Sequence, residues 1–444
     1  MLNSASVIGR YTLAGTVKLT SPLVIRAGVS NDILNDTVDD IVVTYHDGQP
    51  FIPGTSLAGV LRQAIQGLEP VSEDVLFGSI DDKGTQSALQ INDIPLDNTN
   101  IVVRDGICID DARGVTKDGA KYDFEVIESG ATGRLHIDCV IRQCHANQAD
   151  KIERALVALA NLLKNGISVG ARTVNGLGRI ECKDISLEHY DFTKPEHVKG
   201  WLLRKAGTSV AIPERCMIAE KDLVIDMECY LEDTVLIKSI FEEAWEDKSV
   251  ALFIPGTSIK GILRHHCSRI LQALGRSNQA VDALFGYSIE KTNESRKGRV
   301  MVDEVYFDKS FTQEEQPRIR VDRFTGGAMN GALFQDHPVR KGKGKELVFP
   351  LRMTVKDCSD SEAGLVLLLV KDLMTGQITL GANRTIGYGR IKGNSVAVQY
   401  HGESYSIDGT GKVTEGESTK LEALVQALHQ STEDTMLAKE GAHE

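Results

Sequence analysis

One twelve-residue string occurs twice in this chain. Residues 51–62 read FIPGTSLAGVLR and residues 253–264 read FIPGTSIKGILR; nine of the twelve positions are identical, and two of the other three exchange one branched aliphatic for another. Internal repetition of this quality constrains architecture more than any propensity does. Two further pairs follow in the same order: DVLFGS at 74–79 against DALFGY at 282–287, and GARTVNGLGR at 170–179 against GANRTIGYGR at 381–390. The offsets are 202, 208 and 211 positions, so the copies are collinear with small insertions. Two homologous domains are predicted, at 1–200 and 211–400, with a polar C-terminal segment and short helix over 401–444. The length of 444 residues is in keeping with two or three cores.

Within each copy the periodicities follow one order. Leu13, Gly15, Val17 and Leu19 alternate, as do residues 223–228, which predicts an opening strand. After each PGTS turn the apolar positions take helical spacing: 57, 60, 61, 64 and 65, then 259, 262, 263, 267, 270, 271 and 274. A second apolar helix is predicted at 152–163 and again at 363–374, each followed by a glycine-rich turn into a last strand. The expected fold is α+β: two tandem ferredoxin-like, RRM-like βαββαβ domains. Residues 104–135 and 290–346 are long and polar, with isolated aromatics, and read as functional insertions. Leu421, Leu424, Val425 and Leu428 predict a short terminal helix before a frayed acidic end.

Composition narrows the function. Fifty Lys and Arg against 62 Asp and Glu give a formal charge of −12, which argues against a uniformly basic nucleic-acid binder, so any RNA site must be local. The eight cysteines form no CxxC and share no ligand spacing with histidine pairs; reduced thiols in a cytosol are expected, without structural zinc. No run of 18 apolar residues and no basic-then-apolar leader pattern occurs, so neither a membrane span nor secretion is expected.

Two motifs point to anions. In the PGTS turn, Pro fixes φ, Gly permits a tight approach, and Thr55 or Ser56, with Thr257 or Ser258 in the second copy, can cap the helix. The free N–H groups of such a terminus suit a phosphate; the alternative is a helix that is simply well capped. Lys260, Arg264, His265 and His266 follow the second turn, whereas the first offers only Arg62, so the second site is expected to be the more basic. The glycine loops carry Arg172 and Arg179, then Arg384 and Arg390, beside flexible backbone, a pattern that suits a polyanion as well as a plain turn. No GK[ST] follows and no dinucleotide fingerprint is present. His46, His136 and His145 share no motif with a nucleophile, so hydrolase chemistry of the Ser/His type is not expected.

The PGTS helix, the LFG motif, the string VDRFTGGA at 321–328 with GALF at 331–334, and the closing GxGR together resemble the RAMP superfamily, over nearly all of residues 10–395 and twice over. Within it the chain looks most like the backbone subunit of type III CRISPR RNA-guided effectors, and two such domains in one chain resemble the fused subunits of type III-D systems. The first copy departs in its insertion, where IDDARG at 109–114 matches only in part. The resemblance implies a palm that holds guide RNA by its phosphates and a thumb hairpin that interrupts the guide–target duplex. The thumbs would be residues 110–130, with Tyr122 and Phe124, and residues 320–346, with Arg323, Phe324, Met329 and Phe334. An apolar side chain such as Met329 or Leu333 could wedge between bases.

The same resemblance assigns cleavage of target RNA to an acid in the loop between the first strand and the PGTS helix. Copy one has Asp32, Asp36, Asp39 and Asp40 there; copy two has Glu242, Glu243, Glu246 and Asp247. Asp32, which follows a glycine-containing segment as the family's acid does, and Asp247, with Glu246 and Glu243 as rivals, are the expected catalytic and metal-binding residues in one or both domains, with Mg²⁺ or another divalent cation as the only cofactor. Partners would be guide RNA, target RNA and other type III effector subunits in the cytoplasm, without a membrane. The rival readings are a non-catalytic RNA-binding scaffold and a guide-processing RAMP endoribonuclease.

Overall fold

The first strand of each copy alternates apolar and polar residues, which gives its sheet one face for a core, and it is paired along both edges. The computed structural model describes residues 5–27, 38, 40–66, 73–79, 84–109, 116–214, 221–237, 252–289, 294–307, 311–341 and 348–431. These fall into two compact units, residues 1–173 with 177–219 and residues 174–176 with 220–444.

In the first unit, β1 (Val7–Leu19) buries Tyr11, Leu13, Val17 and Leu19 and turns Thr12, Thr16 and Lys18 to the opposite face. Two helices cover the apolar face. α1 (Gly54–Gln66) contributes Leu57, Leu61 and Ile65 at four-residue spacing. Beyond the short α2 (Glu73–Phe77) and the strand Ile94–Asp97, β2 (Ile101–Ile109) and β3 (Thr116–Ile127) form an antiparallel hairpin. β4 (Thr132–Arg142), α3 (Ala149–Asn165) and β5 (Arg179–Asp191) complete the domain, α3 burying Ile152, Leu156, Leu159 and Leu163 against the sheet. β1 pairs antiparallel with both β4 and β5, so the first strand lies between the third and the last, the ferredoxin-like order.

The second unit repeats this plan. β6 (Leu223–Leu231) is followed by α4 (Gly256–Ala273), α5 (Gln279–Phe285), the hairpin β7 (Gln316–Val321) and β8 (Ala328–Asp336), then β9 (Val348–Val355), α6 (Asp360–Met374) and β10 (Ile391–Tyr400). β6 lies between β9 and β10. The protein is therefore an α+β chain of two tandem ferredoxin-like domains, each interrupted by a hairpin. The segment after residue 400 adds to the second core: β11 (Glu403–Asp408) and Val413–Glu415 extend its sheet. α7 (Ser418–Gln430) then packs Leu421 and Leu428 against α6, at a point where a Cβ on Gly364 would come within 2.2 Å of Leu424 O.

The helix starts differ from the sequence expectation. Neither Thr257 nor Ser258 caps α4: Pro255 is the cap residue, and it makes no side-chain capping bond. Thr55 and Ser56 likewise lie inside the first turn of α1, which begins at Gly54. Proline already holds the φ a cap residue needs, and with glycine as the first helical residue the Thr-Ser pair falls at the second and third positions of the helix. The motif glycine has its own reason: a Cβ on Gly54 would stand 2.2 Å from Ile91 O, and one on Gly256 2.5 Å from Val302 O. Only glycine lets the following strand approach so closely.

Candidate nucleic-acid interface

Most of the cations singled out in the sequence hold the fold together. Arg62 forms an ion pair with Glu73, tying α1 to α2, and Arg264 repeats this in the second unit with Asp282 at 2.6 Å and Gly286 O. Arg179 Nη2 donates to Asn165 O at 2.8 Å. Arg390 Nε lies 3.5 Å from Glu232. At the start of α1 the anion position is filled from within: the Gly54 N–H donates to Asp93 Oδ1 at 2.7 Å, so a carboxylate already complements that helix terminus.

Lys260 is buried, with Nζ 3.5 Å from the carbonyl oxygen of Val174, a residue of the same unit. Burial, reinforced by Arg264 and Lys297, pushes its ammonium down to about 8 from 10.5. Below pH 8 the lysine is charged in both folded and unfolded chains, so the burial penalty is present in full. Between pH 8 and 10.5 only the unfolded chain keeps the proton, and the penalty fades as pH rises. Lys260→Met is therefore expected to stabilise the second unit by on the order of 2–3 kcal/mol at pH 7. The advantage should close as pH rises through 8 toward 10; a difference that stays constant in pH-resolved denaturation would contradict this.

Arg172 gathers three elements. It occupies the left-handed region at φ 57°, as its counterpart Asn383 does at 60°. Its guanidinium stacks 4.6 Å from the Tyr122 ring centroid and 4.3 Å from that of Phe124, both on β3. Nη1 donates to Tyr122 Oη at 3.0 Å, and Nη2 lies 3.3 Å from Asp40 Oδ2. Asp40 also pairs with Arg26 at 3.0 Å, and Ala27 N donates to Ile41 O at 3.2 Å, which closes the neck of the acidic loop. Of the four acids in that loop, Asp40 is thus committed to two arginines. Asp32, Asp36, Asp39 and all four acids of the second loop lie outside the described residues. Among the described residues no group of three or more His, Cys, Asp or Glu is placed to hold a metal.

In the second unit the partners at the hairpin base are exchanged. Arg318 on β7 bonds to Tyr388 of the glycine loop, its guanidinium 5.1 Å from the ring centroid, and lies 3.1 Å from Asp336 Oδ2. Asn383 Nδ2 donates to the same carboxylate at 2.9 Å. In both units, then, the glycine loop clamps the hairpin rather than lying free. In sequence nothing marks Arg318, Tyr388 or Asp336 apart from the aromatic at 388, where the first copy has Leu177.

Beyond its clamp the second hairpin is open. Ile319, Val321, Met329, Leu333 and Phe334 are exposed, and Phe324 at the tip is wholly so. The tip is a hydrogen-bonded turn: Asp322 Oδ1 accepts from Phe324 N at 2.7 Å and Thr325 N at 3.0 Å, and Gly326 N donates to Asp322 O at 2.9 Å. Arg320 and Arg323 are exposed beside it, as is Arg384 on the glycine loop; Thr55 and Thr257 are exposed at their helix starts. On the first hairpin Ile101, Val103, Ile107 and Ile109 are exposed; its tip, residues 110–115, lies outside the described residues.

The fold and the clamps define a class of duplicated ferredoxin-like proteins in which each domain carries a hairpin held by its glycine loop. The RAMP superfamily model matches residues 16–181 and 240–392, one match per copy, and the chain belongs to that superfamily as a fused double RAMP protein. Membership carries RNA binding in CRISPR-associated assemblies as its common role. No curated protein matches the chain. No described helix is long and apolar enough to cross a membrane.

Proposed function

We propose that this chain is a backbone subunit of a type III CRISPR effector. It holds guide RNA along both palms and lets each hairpin interrupt the guide–target duplex. Carboxylates of the loops before α1 and α4, Asp32 first and Asp247 second, cleave the target RNA. Those two acids would hold Mg²⁺ or a similar cation, which supplies Lewis-acid stabilisation of the phosphodiester when bound. Guide RNA, target RNA and neighbouring effector subunits in the cytoplasm are its partners. The observation that carries the reading is the second hairpin, where a fully exposed Phe324 stands beside Arg320 and Arg323 on a hydrogen-bonded turn. An aromatic that packs against nothing contributes nothing to the core, while next to cations it offers a base a stacking surface.

Phe324→Ala tests this. Stability should stay within about 0.5 kcal/mol, since the ring is exposed. Affinity for single-stranded RNA should fall by about 1–3 kcal/mol, the worth of one stacked base. Unchanged affinity, read by fluorescence anisotropy, would remove the hairpin from the RNA site.

A further inference from the structure

The two sheets share a fold but not the chemistry of their open faces. In the first unit Thr16 on β1 pairs with Arg134 on β4 and Lys183 on β5, and one row along Lys18 pairs with Thr132 and Glu181. Lys18, Arg134 and Lys183 are exposed, and none has an ion pair with a described residue; Glu181 is drawn to Arg179 at 3.7 Å. The corresponding rows of the second unit read Pro350, Glu228 and Ser395, then Val348, Tyr230 and Lys392. There Lys392 pairs with Glu232, and Glu228 accepts from Asn394 at 2.7 Å. Three cations and one acid thus stand where the sister domain has one cation and one acid, both already engaged.

Like charges on neighbouring strands repel, so the first face is held at a cost to the fold in a chain with an excess of acids. We infer that the open face of the first sheet is a second RNA-backbone site, separate from the hairpins and glycine loops, that binds phosphodiesters without reading bases. Strand spacing sets Arg134 and Lys183 about 10 Å apart, with Lys18 about 7 Å along the strand from Thr16. An extended polyanion can follow such an open lattice. The next row carries Ala14, His136 and Ser186, with the His136 ring nitrogen 3.3 Å from Asp138, and none of the three rows holds a Phe, Tyr or Trp on which a base could stack. The site rests on the RNA-binding reading above and adds a surface to it.

The test uses the full chain and a fluorescein-labelled oligouridine, titrated by anisotropy across a salt series. The Lys18→Ser/Arg134→Ser/Lys183→Ser variant is expected to bind about 10-fold more weakly or worse at low salt. Its log–log salt slope should be shallower by about 2, three phosphate contacts at about 0.7 each. Thr16→Glu places in the first face the acid that the sister fold carries at that position, and should weaken binding several-fold without lowering the unfolding midpoint. Arg352, which pairs with Asp226 across the second sheet at 3.5 Å, and Lys392 are already engaged by acids, so Arg352→Ser with Lys392→Ser should leave affinity unchanged. A triple variant that keeps wild-type affinity and slope overturns the inference while leaving the hairpin reading intact; so does one that binds RNA normally but loses a partner subunit, which would mark a protein-docking face. A wild-type chain that binds no RNA overturns both.

Discussion

Alanine at Gly389 is expected to unfold the second unit near ambient temperature or to lower its melting midpoint by roughly 10 °C or more. Gly389 has φ 79°, and a Cβ there would stand 1.8 Å from Leu380 O. The backbone cannot retreat, because Gly389 N donates to Thr234 O at 2.6 Å and its carbonyl accepts from Leu380 N at 2.8 Å. Left-handed strain of about 1–2 kcal/mol adds to an overpacking cost of about 1–3 kcal/mol. At about 2–4 °C per kcal/mol for a unit of this size, that sum sets the shift. Gly178 in the first unit is built alike, with φ 79° and a Cβ 1.9 Å from Val169 O. Gly387→Ala is the control: its φ is 94° but the space around it is open, so only the strain should register. Equal melting of both variants would mean that the glycine loops do not lock hairpin, strand and loop together.

Asp32→Ala in the assembled ribonucleoprotein is expected to reduce target-RNA cleavage at the first cut by about 10²-fold or more, the usual worth of a positioned acid–base or metal-binding group. Guide binding should be unaffected. Asp247→Ala should do the same at the second cut alone, and a chelator should abolish both. Asp40→Asn separates chemistry from architecture. Because Asp40 is held by Arg26 and Arg172, its loss should lower stability before it alters the cut position. Cleavage that persists in both Asp32→Ala and Asp247→Ala would leave the chain a scaffold.

The plan of the domains was legible because it is local and repeated. The alternation of β1, the four-residue spacing of Leu57, Leu61 and Ile65, and the order of the three motifs all survive in one dimension. The destinations of the cations were not. Arg62 reaches an acid 11 residues on, and Arg172 one 132 residues back, so nothing near either in sequence announces its partner. Glycines and arginines that looked like a phosphate cradle are therefore, in good part, backbone approach and internal clamps. The insertions stand out in the sequence by their length and polarity and only the resemblance makes them hairpins, although Ile101, Val103 and Ile107 alternate as a strand at the start of the first; the period-two signal lies there on an exposed face. Lys18, Arg134 and Lys183 escaped because they come from three separate strands, and only strand pairing brings them into adjacent rows.

The central claim is that the two palms and their hairpins grip RNA. Photo-cross-linking of the full chain to single-stranded RNA carrying 4-thiouridine, with the adducts located by mass spectrometry, tests it most directly. Adducts within residues 316–336, led by Phe324, together with adducts in the first hairpin at 101–127, are the predicted result. RNA that fails to bind, or that cross-links only outside both hairpins, would contradict the account.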